Sequence, residues 1–215
     1  MKKLITTLAV TAVCVGAFAQ GKVAFVNDAN HYYYMGNVNL LPADAALANQ
    51  LIPTGGLLPS GKTIVADLYA GTSAGSLFLY STTTMGATPG RQGTLNVTLN
   101  DPDLAGPAVA LPGGVAAFFQ VQLRDNAYAS AALAWAAGSY AGMSSIFTVV
   151  PSSTIAFNSI VNAGGTALST WAIGTQAFPN AVPAGFGSIA VVPEPTTMVL
   201  AGLGAASLLA FRRRS

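Results

Sequence analysis

The C-terminal segment, residues 193–215, constrains the organisation of this chain most, because it joins three parts in a fixed order. Pro193-Glu194-Pro195 comes first, and an uncharged apolar run follows from 196 to 211. Three arginines come after this run: Arg212, Arg213 and Arg214. A helix over the apolar run would be about 24 Å long, enough to cross a bilayer that thins locally. The sequence therefore predicts a transmembrane helix at 196–211, with the arginines held in the cytoplasm as a stop-transfer signal.

A second apolar segment lies at the opposite end and has the form of a secretory signal peptide. Lys2 and Lys3 precede a mostly apolar stretch, and Ala17-Phe18-Ala19 gives the small-x-small pattern of a cleavage site. Cleavage there makes Gln20 the first residue of the mature chain. The predicted organisation is a signal peptide at 1–19, a body at 20–192 with a spacer from about 178, and a tail at 193–215.

The tail resembles the PEP-CTERM sorting signal of Gram-negative bacteria in its motif, apolar span, basic end and position. The resemblance implies that an exosortase, a membrane-embedded transpeptidase-like protease, recognises Pro193-Glu194-Pro195, and that the arginines act as the stop. It also implies that the tail is cut near this motif and that the body passes to the envelope or to an exopolysaccharide matrix. An ordinary C-terminal membrane anchor is the alternative interpretation.

Charged residues are scarce, at 7% of the chain against 52% hydrophobic residues, where about a quarter is usual for charged residues. The body holds four Lys and Arg and six Asp, so its net charge is 4 − 6 = −2. The basic excess of the whole chain belongs to its ends and predicts no nucleic-acid partner. Cys14 is the only cysteine and lies in the predicted signal peptide, so the body has no disulfide or thiolate metal site.

The body has the sequence pattern of a strand-rich domain. Residues 94–100 and 119–124 alternate strictly between apolar and polar side chains, which indicates strands with one solvated face. We predict further strands at 22–27, 63–70, 77–82 and 145–150, and weaker ones at 154–161, 168–173 and 188–192. Residues 42–51 are predicted as one short helix, and 127–137 as a loop or short helix. Recurrent turns between these segments predict an all-β fold, a single antiparallel β-sandwich of jelly-roll or Ig-like type.

The one dense aromatic cluster is a candidate ligand-binding site. It consists of Tyr32, Tyr33 and Tyr34, and aromatic rings of this kind can stack on sugar rings or fill a core. Side chains alternate between the two faces of a strand, so three adjacent tyrosines cannot all point inward. The cluster predicts possible ligand stacking in a carbohydrate-binding module.

Catalytic and metal-ligating patterns are weak in this chain. His31 is the only histidine, and a serine triad would need it together with an acid that orients it. Because it sits beside Tyr32, Tyr33 and Tyr34, we expect a surface or loop residue. One histidine and no body cysteine leave no zinc site. Asp67 and Asp125 are the acids that best fit a glycoside hydrolase, but no spacing pairs them. We therefore predict no enzyme activity, no catalytic residue, no cofactor and no metal.

These observations together predict an exported protein of the cell envelope or exopolysaccharide matrix, with a structural or adhesive role and a transient inner-membrane anchor. Its expected partners are the secretion translocon, an exosortase, the membrane through the C-terminal helix, and exopolysaccharide. The alternatives are a carbohydrate-binding module delivered to the surface and, third, a secreted hydrolase.

Overall fold

The computed structural model describes residues 20–28, 31–37, 39–99, 110–163, 166–167 and 189–193. The predicted signal peptide at 1–19, the strand at 168–173, the spacer at 178–187 and the tail beyond 193 lie outside these residues. Twelve strands occur within the described part of the chain: β1 Lys22–Phe25, β2 Tyr33–Met35, β3 Ile64–Ser73, β4 Ser76–Thr84, β5 Leu95–Thr98, β6 Ala117–Asp125, β7 Tyr140–Met143, β8 Phe147–Val149, β9 Asn158–Ser159, β10 Asn162–Ala163, β11 Thr166–Ala167 and β12 Ile189–Pro193.

The strands form two larger sheets and one small hairpin. The large sheet has the order β2-β12-β7-β6-β3-β4, and β8 also pairs with β6. The small sheet has the order β5-β1-β9, and β10 pairs with β11. Antiparallel pairing prevails, with parallel pairing between β1 and β9 and between β12 and β2. The prediction of an all-β fold with antiparallel sheets is confirmed.

Strands β3 and β6 form the centre of the large sheet. They pair without a register shift from Ile64 opposite Asp125 to Gly71 opposite Phe118. Apolar side chains at alternate positions of β6, such as Phe119 and Val121, are buried because they point to the inner face. Each such side chain contributes about 1.5–3 kcal/mol when it is fully buried. The alternation read from the sequence therefore reflects one core-facing side of this strand.

One buried cluster contains apolar residues from both larger sheets. Val23 and Phe25 of β1 belong to it together with Leu68 of β3 and Phe119 of β6. The Phe119 and Phe147 rings stack within it, with their centroids 6.1 Å apart. The two sheets are therefore parts of one folded unit with a common core.

Of the two predicted helical segments, 42–51 is shorter than predicted and 127–137 contains a short helix, in agreement with the prediction. The predicted helix at 42–51 is a 3-10 helix over Pro42–Leu47, and Asn49 follows it with a positive φ of 58° that a continuing helix cannot adopt. Within 127–137, an α-helix (α1) covers Ala131–Ala136, and the Ser130 hydroxyl caps it by accepting from the Leu133 N–H at 3.2 Å. A second 3-10 helix spans Thr54–Gly56.

Candidate functional site

The body meets the sorting tail at β12. Residues Ile189–Val191 pair in parallel with Tyr33–Met35 of β2, while Val192 and Pro193 pair in antiparallel fashion with Ala141 and Tyr140 of β7. The strand therefore lies between β2 and β7, and its last residue is the first proline of the Pro-Glu-Pro motif. Glu194, Pro195 and the three arginines lie outside the described residues.

Tyr140, the β7 residue opposite Pro193, connects this junction to the rest of the body. Its hydroxyl donates to Asp44 Oδ2 at 2.6 Å and accepts from the Leu41 N–H at 3.0 Å. The other oxygen of Asp44 accepts from the Ser60 N–H at 2.8 Å. Burial of the ring, and then the hydrogen bond to Asp44, raise the pKa of Tyr140 well above its usual value. Tyr140 is therefore a neutral donor that fixes β7 against the first 3-10 helix.

The tyrosine cluster is divided between the core and the surface. Tyr33 is fully buried, and its hydroxyl donates to Gln92 Oε1 at 2.5 Å. Burial raises the pKa of Tyr33 well above its usual value. Tyr32 and Tyr34 alternate with it along the chain and are half-buried. Stacking of a ligand on all three rings is excluded, and the predicted stacking site narrows to Tyr32 and Tyr34.

Asn27 fixes the segment that carries these tyrosines. Its Nδ2 donates to the carbonyls of His31 at 2.8 Å and Gly90 at 2.9 Å, and its Oδ1 accepts from the Gln92 N–H at 3.0 Å. Gly90 has a φ of 71°, and a Cβ at this position would lie 2.7 Å from Leu51 Cδ2. Glycine is therefore required where the two segments meet.

Arg91 brings a positive charge to the same surface. Its guanidinium carbon lies 5.6 Å from the centroid of the Tyr32 ring, within the range of a cation–π interaction. Tyr34 lies two residues from Tyr32 on the same side of the chain. The surface defined by Tyr32, Tyr34 and Arg91, named here the tyrosine–arginine face, combines two half-exposed aromatic rings with one cation.

His31 lies in a loop, as expected, but the prediction of a surface position is wrong. Only 1% of the residue is exposed, and its Nδ1 lies 2.5 Å from Asp28 Oδ1. Its own carbonyl is one of the groups held by Asn27. The histidine ring is therefore inaccessible to a substrate, although it is paired with an acid.

Asp67 is held on the outer face of the large sheet by a two-point ion pair. Arg124 Nε lies 2.6 Å from Oδ2 and Nη2 lies 3.2 Å from Oδ1, while the Thr82 hydroxyl donates to Oδ1 at 2.7 Å. Asp67 is fully buried and Arg124 is 7% exposed. All of these partners occupy neighbouring strands, so the arrangement joins β3, β4 and β6.

Asp125 forms a second, separate cluster with Lys62 and Ser139. Its Oδ2 accepts from Lys62 Nζ at 2.9 Å and from the Ser139 hydroxyl at 2.6 Å. Burial alone raises the pKa of this carboxyl, but hydrogen bonds from Lys62, Ser139 and the Ala127 N–H bring the pKa below its usual value. A shallow pocket of about 280 Å³ lies beside the cluster, lined in part by Asn126.

The two acids do not meet in one cleft. Asp125 lies opposite Ile64 and Asp67 lies three residues further along β3, so the two side chains project from opposite faces of the sheet. Each is neutralised by its own cation. Asp67 and Asp125 therefore cannot act as the two carboxylates of a glycoside hydrolase.

Metal ligands and membrane-spanning helices are not found among the described residues. No group of three or more His, Cys, Asp or Glu side chains comes together in that part of the chain. None of the helices described there has the length and hydropathy to span a bilayer. The predicted span at 196–211 lies outside the residues to which this finding applies.

Comparison with known proteins identifies the tail. Residues 191–214 match the PEP-CTERM protein-sorting motif. The chain carries a PEP-CTERM sorting signal. This signal implies export, surface-directed sorting and processing by an exosortase, a membrane enzyme. No curated protein and no solved structure matches the chain. The matched segment begins at Val191, so it shares its first three residues with β12.

Several residues that organise these sites gave no recognisable signal in the sequence. Asn27 and Gln92 fix the tyrosine segment through contacts that span 65 residues, and the Tyr140 hydroxyl reaches Asp44 across 96 residues. Hydrophobic periodicity reports which face of a strand is buried, but it does not report which distant polar groups meet.

Proposed function

We propose that this chain is an exported protein of the cell envelope or exopolysaccharide matrix whose body has a structural or adhesive role. The observation that carries the proposal is the sorting motif at 191–214, which requires the rest of the chain to be exported. The signal-peptide pattern at 1–19 supplies the route, through the secretion translocon. The body is nearly neutral and weakly charged, a composition that accords with an exported surface protein.

We also propose that the two larger sheets face each other as a β-sandwich. Support comes from the buried cluster, in which Val23 and Phe25 of the small sheet accompany Leu68 and Phe119 of the large sheet. Packed sheets of this kind bury one face of each sheet in a shared core. We propose a non-catalytic body, since Asp67 and Asp125 are separated and His31 is inaccessible.

The test of the sorting function is intact-mass analysis of the protein from each cell fraction of an exosortase-bearing host. We expect the wild-type mass to run from Gln20 to a point near Pro193, outside the cytoplasm. Glu194→Ala removes the only acid of the motif and should leave the full tail attached, in the membrane fraction. Ser188→Ala, which lies before the matched residues, is the matched control and should be processed normally. Normal processing of Glu194→Ala would refute the sorting function.

The tyrosine–arginine face supports a second candidate, which is retention of the body on exopolysaccharide. Tyr32 and Tyr34 expose rings on the same side of the chain, and Arg91 adds a cation beside them. Stacked aromatic rings and a few polar groups are sufficient to hold sugar rings. The double variant Tyr32→Ala/Tyr34→Ala should lose retention on isolated exopolysaccharide. The control Tyr32→Phe/Tyr34→Phe keeps both rings and should retain it, and equal retention by all three proteins would contradict sugar stacking.

A further inference from the structure

Strand β12 belongs to the folded sheet and to the sorting signal at once. The sorting motif begins at Val191, and β12 ends at Pro193. Val191 pairs with Met35 of β2, and Val192 pairs with Ala141 of β7. At the start of the signal, Val191 is therefore paired with β2, and Val192 and Pro193 are paired with β7, when the body is folded.

The distance from the sheet to the predicted membrane span is short. Glu194 and Pro195 alone separate Pro193 from the apolar run that begins at Thr196. Three extended residues reach at most about 11 Å, and the polar layer of the bilayer is about 5–8 Å thick on each side. With β12 in the sheet, this short reach limits how far the body can lie from the predicted membrane span.

An enzyme that reads an extended segment needs the same groups that β12 already uses. Recognition of an extended peptide proceeds through its backbone N–H and C=O groups, as in strand addition to a sheet. Residues 191–193 offer fewer free groups of this kind while each is paired with β2 or β7. The exosortase and the sheet therefore compete for residues 191–193.

The pairing of β12 is weakest near the motif. Its parallel pairing with β2 covers three positions, and its antiparallel pairing with β7 covers Val192 and Pro193. Pro193 has no N–H to donate, so it contributes less to the pairing opposite Tyr140. Segments with few pairing partners open locally at low free-energy cost, and opening from the Pro193 end first breaks the two-position pairing with β7.

We propose that β12 is a releasable strand that must leave the sheet before the exosortase can engage the sorting signal, so that opening of the β2–β12–β7 region gates processing. This proposal rests on the exosortase function described above. Once the tail has been processed, β12 returns to its place between β2 and β7. The new C-terminus is then held at the end of an inner strand of the sheet.

A reversible crosslink provides the direct test. Ala141 and Val192 are register partners on antiparallel strands, where Cα atoms lie about 4.5–5.5 Å apart, within the range of a disulfide. Outside the predicted signal peptide the chain has no cysteine, so Ala141→Cys/Val192→Cys has no competing thiol. We expect its processing in the oxidising envelope to fall at least about tenfold. A reductant in the medium should restore it.

The matched control places a disulfide elsewhere in the same sheet. Gln122 and Met143 are register partners on β6 and β7, away from β12, and Gln122→Cys/Met143→Cys should be processed at the wild-type rate. The single variants Ala141→Cys and Val192→Cys separate the crosslink from the substitutions. Wild-type processing of the oxidised Ala141→Cys/Val192→Cys protein, with its disulfide intact by mass, would overturn the proposal.

A second variant tests the gate without a crosslink. Ala190 pairs with Tyr34 and precedes the matched motif, so Ala190→Pro weakens the strand and leaves the signal unchanged. Pulse-chase analysis should show processing about tenfold faster, which corresponds to about 1.4 kcal/mol of lost pairing. Unchanged or slower processing would overturn the gate. Glu194→Ala separates the two hypotheses. The loss of processing that we expect in this variant tests the sorting function, and it does not depend on whether β12 must open.

Discussion

The centre of the large sheet and its β2–β12–β7 end are built from the same backbone hydrogen bonds, yet they are secured very differently. The β3–β6 pair runs from Ile64 to Gly71 without a register shift and carries the buried Asp67–Arg124 ion pair. Strand β12 has three partners on one side, two on the other, and a proline at its end. The comparison indicates a sheet with a permanent centre, the β3–β6 pair, and a releasable side, the strands β2, β12 and β7. Release of β12 from this side serves the sorting step.

The largest expected effect comes from the ion pair at the permanent centre. Arg124→Leu removes the two hydrogen bonds that the guanidinium donates to Asp67. The buried carboxylate then keeps the hydrogen bond from the Thr82 hydroxyl. An uncompensated buried charge costs about 3–5 kcal/mol, so urea unfolding of the purified full chain should show a much lower midpoint. Asp67→Leu/Arg124→Leu removes both charges and should recover most of the loss. A loss below about 1 kcal/mol for Arg124→Leu would show that the charge is not truly desolvated.

A smaller loss is expected at the junction between the two regions. Tyr140→Phe removes a donor from buried Asp44 and an acceptor from the Leu41 N–H, at a cost of about 1–3 kcal/mol. The raised pKa of Tyr140 favours its neutral form in the fold, so its contribution is complete below about pH 10 and is lost as the pH rises beyond that value. The alkaline decline in stability should therefore flatten in Tyr140→Phe and persist in the control Tyr32→Phe.

The smallest effect is expected at Asp125, where the partner Lys62 is partly exposed. Asp125→Asn weakens hydrogen bonds from Lys62 and Ser139, and we expect a loss of about 0.5–1.5 kcal/mol at neutral pH. Because the pKa of Asp125 is lowered, its contribution is present above about pH 4 and is lost as the pH falls through the lowered pKa. Unfolding measured from pH 6 to pH 2 should show a flatter acid decline in Asp125→Asn and also in Lys62→Met. If the stability of these variants falls as steeply with decreasing pH as that of the wild-type protein, this cluster is not the source of the acid decline.

Strand β6 of the permanent centre could be predicted from sequence because its apolar and polar residues alternate. Residues 119–124 alternate between core and outer face, and the observed β6 extends this pattern to Ala117–Asp125. The predicted segments 63–70 and 77–82 overlap β3 and β4, although Ile64–Leu68 of β3 are all buried and show no alternation of burial. Where one face of a strand packs on a core, the local pattern carries the information that determines the strand.

On the releasable side, the weaker predicted strand 188–192 overlaps β12, but β2 and β7 were harder to predict because they lack this pattern. Tyr140–Met143 has three consecutive buried residues, so no alternation marks it as β7. Tyr33–Met35 is only three residues long and owes its position to Asn27, Gly90 and Gln92, which are distant in sequence. The same contacts explain why His31 is buried in a loop. Positions that depend on such long-range contacts cannot be recognised from the local sequence.

Because β12 lies between two neighbouring strands, its resistance to a pull depends on the direction of the applied force. Interstrand hydrogen bonds lie across the strand direction, so tension applied along β12 shears the pairs on both sides together. Peeling from the Pro193 end, by contrast, breaks them one after another. A body tethered through its processed C-terminus would therefore resist a steady pull along the tether, even though the same strand opens readily to an enzyme that lifts it from the end.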